Sequence, residues 1–302
     1  MERVLGRLRG ARPGPTLVCI GGLHGNEPAG VHALRRVLER LAPRVHAMRG
    51  DFVALAGNRP ALALGMRFVD RDLNRAWTDP HLDRHRAPGA VPELVEDQEQ
   101  VELLTAIESA VAEARGPVFV LDLHTTSGMG SLFTTCADEL ANRDMASAIP
   151  VPTILGLEEA LEGTLTAFLG LHGLVAVAFE SGQHEEPRAV DRAEAGVLLT
   201  VASVGLLPEA LLPEAAEART LLSRDAGHLP RAMELIYRHA IEPGDGFVMD
   251  PGYRTFQPVH RGQEVATDVR GRVRVDQDAR MLMPLYQKLG QDGFFLIRDV
   301  NR

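Results

Sequence analysis

Three short segments carry residue types suited to metal-assisted hydrolysis. The first, Gly21-Gly22-Leu23-His24-Gly25-Asn26-Glu27-Pro28, puts a histidine and a carboxylate three apart in a glycine-rich loop. Zinc accepts imidazole nitrogen and carboxylate oxygen, and catalytic sites often use two His and one Glu. The glycines let the backbone curl so that both side chains can meet one ion. Taken alone, the pair suits equally well a helix-start glutamate beside a polar loop histidine. The second segment, Leu121-Asp122-Leu123-His124-Thr125-Thr126, offers His124 as a third ligand, and alternation puts Asp122 on the same strand face. The third, Phe179-Glu180-Ser181-Gly182, follows the apolar run 175–178. A carboxylate there is costly unless paired or functional, and a partly desolvated Glu near a metal-bound water suits a general base. Between the first two segments lie Asn58-Arg59-Pro60 and then Arg67 to Arg75, with Asp72-Leu73-Asn74-Arg75 at its end. Arginine is the preferred fork for a carboxylate or a developing oxyanion.

These segments need rigid elements to bring them together. Thr16–Ile20 reads as a buried strand running into Gly21-Gly22, and Pro28 opens a helical pattern to about Leu41. Phe52–Ala56, Val118–Leu123 and Leu174–Phe179 read as further strands, Glu93–Ala114 and Ala189–Leu207 as helices. Residues 60–90 read as an irregular excursion near the site. Strand–helix alternation predicts an α/β domain with a largely parallel sheet flanked by helices. In such sheets ligands bind just past the strand ends, where all three segments fall. After Pro208 the texture changes. A polar connector spans about 208–228, and from 229 to 302 short alternating runs predict a smaller β-rich C-terminal domain. Residues 1–207 form the catalytic domain in this reading.

The ordered set GGLHGNEPAG, NRP–Arg67–DLNR, DLHTT and FESG resembles the succinylglutamate desuccinylase/aspartoacylase family, within the zinc-carboxypeptidase superfamily. The resemblance covers about residues 20–182, and the β-rich C-terminal region fits the family's second domain. It implies a zinc-carboxypeptidase-like fold and one Zn²⁺ per chain held by His24, Glu27 and His124. It implies Glu180 as general base and Arg67 as the group that polarises the scissile carbonyl. Asn74 and Arg75 would grip the substrate carboxylate, Asp72 would orient His24 from behind, and Tyr286 would reach the substrate from the C-terminal domain. The implied activity is zinc-dependent hydrolysis of the amide bond of a small N-acyl amino acid. Alternatives are a metallocarboxypeptidase acting on a short peptide and, from another class, a non-catalytic small-molecule sensor. One departure bears on specificity. Aspartoacylases carry a Tyr and an Arg shortly before the base, and Thr166–Val175 has neither. Acetylaspartate is therefore expected to be a poor substrate beside a neutral or basic acyl amino acid.

Composition narrows the remaining classes. The chain has 302 residues, 32 Lys and Arg against 41 Asp and Glu, and a net charge of −9, which argues against a nucleic-acid partner. Lys288 is the one lysine, so no P-loop lysine exists and a Schiff base would have a single candidate. Cys19 and Cys136 read as buried thiols rather than a disulfide framework. No apolar run approaches a membrane span, and residues 1–15 lack the apolar core of a signal peptide. The reading is soluble and cytoplasmic, with self-association left open. His81 and His85 read as a solvated loop, and His184 as exposed just past the base. His172 reads as a turn residue.

Overall fold

In the computed structural model, which describes residues 1–130 and 132–300, the strands that carry the site lie side by side. The strands of the large sheet begin with β1 (Val4–Arg9), β2 (Arg12–Gly21), β3 (Arg49–Ala56), β4 (Val118–Thr126), β5 (Phe133–Thr135), β6 (Thr153–Leu155), β7 (Val175–Gln183) and β8 (Ala232–Ala240). The C-terminal segments β9 (Val248–Met249), β10 (Pro258–Val259), β11 (Glu264–Asp268), β12 (Gly271–Arg274), β13 (Ala279–Leu282) and β14 (Asp292–Asp299) complete the set. Eleven of these strands form one sheet in the order β1-β3-β2-β4-β7-β5-β6-β8-β14-β13-β10, and β12-β11-β9 form a small separate sheet. The fold is the expected mixed α/β class. The block β3-β2-β4-β7 is parallel.

Burial on both faces explains why β2 is almost continuously apolar. Leu17 and Cys19 face α1 (Ala29–Leu41) and a core shared with Val197 and Leu198. Val18 and Ile20 face the opposite layer, with Leu103, Leu104 and Ile107. In chain order the other helices are α2 (Arg59–Leu64), α3 (Asp79–Arg86), α4 (Val95–Ala112), α5 (Leu140–Ser147), α6 (Leu157–Ala160), α7 (Leu165–Leu171), α8 (Arg188–Ser203) and α9 (Glu214–Ala226). Both cysteines are free and buried, and burial pushes both thiols up, Cys136 to about 12.

Two expectations need correction. The segment 211–225 is not merely a polar connector, because α9 lays Ala215, Ala218 and Leu222 into the main core. Its polar side chains mask a narrow apolar stripe of small residues. Residues 79–86 are helical, with Pro80 in the first turn, where its missing N–H costs nothing. Across residues 208–228 the hydrogen-bonded sheet is unbroken, since β6 pairs in parallel with β8. That pairing brings the C-terminal strands to the mouth of the parallel block.

Candidate active site

β2 ends at Gly21, and the chain must turn at once so that α1 can pack back. Gly22 takes this turn at φ +75°, a conformation that favours glycine. Gly25 lies so close to α2 that a Cβ there would fall 2.0 Å from the Ala61 carbonyl carbon. The loop thus packs against α2 and turns His24 and Glu27 inward, where both are buried. His124 comes from β4 and Glu180 from β7. The two are register partners in the parallel pair, so one ladder rung sets the candidate ligand beside the candidate base.

His24 Nδ1 lies 2.9 Å from Glu27 Oε1, and His124 Nδ1 lies 3.2 Å from Glu27 Oε2. The other ring nitrogens are taken. His24 Nε2 is 3.0 Å from Asp72 Oδ1, and His124 Nε2 is 2.8 Å from Asp122 Oδ2. An ionised carboxylate only accepts, so each Nε2 carries the hydrogen. A neutral imidazole then presents a bare lone pair at Nδ1, aimed at the Glu27 carboxylate. Lone pairs from three buried side chains facing one another call for a cation. Three such donors, each ring nitrogen oriented by a carboxylate behind it, fit a zinc-type ion. Without an ion, burial disfavours a charged His124, but Asp122 and then Glu27 outweigh it and hold its pKa well above the usual imidazole range. Burial likewise works against the Glu27 anion, while His24 and His124 pull its pKa well below the carboxylate range.

The segment 67–75 wraps the rear of this centre. Arg67 donates to Asp72 Oδ2 from Nε at 3.0 Å and Nη2 at 2.8 Å, and its Nη1 lies 3.7 Å from Glu27 Oε1. Burial would raise the Asp72 pKa, but Arg67 and His24 hold it well below its ordinary value. Asp72 therefore joins the candidate ligand His24 to the candidate oxyanion donor Arg67. The loop is anchored from α4 by Glu96, which is fully buried and accepts backbone N–H groups from Val69, Asp70 and Arg71. Asn58 caps α2 and donates to the same Glu96 at 2.9 Å. In sequence Glu96 looked like one more acid at a helix start; only its three amide partners distinguish it.

Glu180 stands at the cleft with Oε2 buried and without a hydrogen-bond partner among the described residues. Burial, then the nearby Glu27 and Asp122 charges, push its carboxyl up to about 8 against the pull of His124 and Arg67. The cleft is lined from β4, β7 and β14 alike. His24, Glu27, His124, Glu180, Arg67, Asn74 and Arg75 all line it. Asn74 spends its Oδ1 on the Leu165 amide at the start of α7, at 2.8 Å. Its amide NH₂ is the part left to meet a ligand. Arg75 is tied to Asp292 by a 3.0 Å ion pair.

Tyr286 does not join this group. Its hydroxyl donates to the Asp250 carbonyl at 2.9 Å and accepts from the Tyr253 amide at 2.8 Å, and its ring is absent from the cleft lining. Gln287, the next residue, lines the cleft and accepts from Asn26 Nδ2 at 3.0 Å. In an extended chain neighbours point to opposite sides, and sequence could not tell which of the two faces inward. Lys288 borders a neighbouring surface hollow rather than the cleft. His184, expected to be exposed, lines the cleft with Nδ1 2.8 Å from Thr125 Oγ1. The backbone bond from its amide to Thr126 carries β7 past Glu180 and folds it inward. His172 sits outside the cleft, exposed and 2.9 Å from Asp79 Oδ1. His81 and His85, expected in a solvated loop, converge with buried Asp97 into a second group of metal-ligand type. The guanidinium of Arg71 already sits against Asp97 and His81, so the chain supplies the cation itself.

A model of the succinylglutamate desuccinylase/aspartoacylase catalytic domain matches residues 13–200. The chain belongs to this family. Human N-acyl-aromatic-L-amino acid amidohydrolase (carboxylate-forming) is 37% identical over 113 residues, which are 37% of this chain and 34% of the human one. A probable aspartoacylase from Prochlorococcus marinus is 33% identical over 147 residues, 48% of this chain and 44% of that one. The chain therefore aligns with less than half the length of these curated relatives. The likeness of fold is longer. The crystal structure of a succinylglutamate desuccinylase/aspartoacylase from Rhodobacter sphaeroides superposes with a TM-score of 0.67 at 20% identity, covering 98% of this chain and 88% of that one. The family match spans every motif from His24 to Glu180 and ends before β14 and the β13–β14 connection, which supply Asp292 and Gln287.

Proposed function

We propose that this member of the family is a zinc-dependent amidohydrolase that removes the acyl group from a small N-acyl amino acid. The observation that carries the reading is the convergence of His24 Nδ1, Glu27 and His124 Nδ1, each ring held by its own carboxylate, beside the unpartnered Glu180 oxygen. A bound zinc ion would supply Lewis acidity to the scissile carbonyl and to the attacking water. Glu180 takes the proton from that water and returns it to the leaving amine, a role open to its unpartnered Oε2. Arg67, held rigid by Asp72, offers Nη1 to the oxyanion as it develops. Arg75 and the Asn74 amide hold the carboxylate of the amino-acid moiety and so set the carbonyl against the water.

Met283, Leu285, Gln287 and Asp292 from the C-terminal region line the same cleft as the base. That enclosure favours a small acyl amino acid over a peptide, and an intact base beside the ligand set disfavours a mere sensor. No described helix is long and apolar enough to cross a membrane. A cytoplasmic location and a small-molecule partner complete the proposal. The decisive experiment pairs metal analysis with Glu180→Gln. The variant should keep about one zinc per chain and lose ~10²–10⁴-fold in turnover; wild-type turnover in the variant would refute the mechanism.

A further inference from the structure

One carboxylate in the cleft has no part in that mechanism. Glu158, on α6, lines the cleft and is 6% exposed. The Thr164 and Thr166 hydroxyls both donate to its Oε2, at 2.9 and 2.7 Å. Among the described residues nothing donates to Oε1, and no Lys, Arg or His lies in ion-pair reach. Most other buried carboxylates around the site have a cation at hand. Asp72 has Arg67 and His24, Asp292 has Arg75 and Arg238, and Glu27 has the two histidines. A buried carboxylate with only hydroxyl donors is poorly compensated. Burial accordingly raises the Glu158 pKa, and the two threonine bonds offset this only in part.

Position decides what would compensate it. The Leu165 amide, between the two threonines, donates to Asn74 Oδ1, and Gly163 packs on the Arg75 carbonyl. The Glu158 shelf is therefore contiguous with Asn74 and Arg75, the pair assigned above to the carboxylate of the amino-acid moiety. We infer that Glu158, set by Thr164 and Thr166, is a specificity residue that binds a protonated amine on that moiety. The preferred substrates are then N-acyl derivatives of diamino acids with one amine left free. The inference rests on the proposed deacylase reading for the orientation of the substrate.

Binding can be separated from turnover with sulfonamide analogues, which have no scissile carbonyl. N-methanesulfonyl-ornithine and its neutral isostere N-methanesulfonyl-norleucine, with the shorter diaminobutyrate and norvaline pair, are titrated calorimetrically into the zinc-loaded wild type and Glu158→Gln. In the wild type at least one cationic analogue should bind about tenfold or more tightly than its isostere, as for a charge-assisted hydrogen bond. In Glu158→Gln that ratio should fall to within about twofold, and Thr166→Val should narrow it. Equal binding of both members of each pair, no binding of either, or an undiminished ratio in Glu158→Gln would overturn the inference. Hydrolysis of the corresponding acetyl compounds is measured on the same preparations. Absent hydrolysis with the binding preference intact would refute the deacylase reading and leave the Glu158 subsite standing.

Discussion

Asp292, at the first position of β14, bridges Arg75 at 3.0 Å and Arg238 at 2.6 Å, so one carboxylate ties β14 and β8 to a cleft-lining arginine. Asp292 is buried and Arg75 nearly so. Removing the shared anion leaves two guanidinium groups facing each other with no counterion. Asp292→Ala should destabilise the protein by about 3 kcal/mol, the scale for breaking a buried pair. Urea unfolding of wild type and variant at neutral pH measures it, and an unchanged midpoint would mean that Arg75 finds another partner.

Asp122 holds the His124 ring from behind through a 2.8 Å bond and touches nothing in the cleft. Loss of its charge should weaken the imidazole as a donor and free the ring to rotate. Asp122→Asn is expected to bind zinc about 10–100-fold less tightly than wild type. Competition with a chromophoric chelator gives the constant directly; equal affinities would remove the orienting role.

Glu96 collects three amides of the loop that carries Arg67 and Asp72, although it does not itself line the cleft. Glu96→Ala should let that loop shift while His24, Glu27 and His124 still hold metal. The expected result is a fall in kcat of ~10²-fold, as for an ångström-scale misplacement, with little loss of zinc. Steady-state kinetics with metal analysis checks both halves, and a variant that loses metal and activity together would point to global damage.

The raised pKa of Glu180 has a consequence for the metal-free protein. Its folded value, about 8, lies above the ordinary carboxylate value near 4.3 of the unfolded chain. The folded state therefore binds the extra proton between these limits. This contribution to stability is complete below about pH 4.3 and is lost as pH rises through about 8. The melting temperature of metal-free wild type should fall relative to metal-free Glu180→Gln between pH 5 and pH 8.5. Parallel profiles for the two proteins would show that Glu180 titrates normally.

The motifs themselves determined a good deal. Residue type and order marked two His and one Glu of ligand chemistry, a candidate base after an apolar strand, and an arginine-bearing loop between them. The parallel core was legible too, because strands covered on both faces read as unbroken apolar runs and the helices between them as periodic ones. Tertiary structure decided which polar residues meet. The β4–β7 register set His124 beside Glu180, a relation between segments some fifty residues apart that no local pattern encodes. The same holds for Glu96, whose partners lie in another element, and for α9, whose apolar stripe is too narrow to read against its charges. At the C-terminal end the lining came down to the facing of single residues. Tyr286 turns its hydroxyl to backbone while Gln287 and Asp292 enter the cleft. Short strands joined by glycine turns leave that facing to packing, and so the substrate end of the site, Glu158 included, is where folding rather than motif chose the residues.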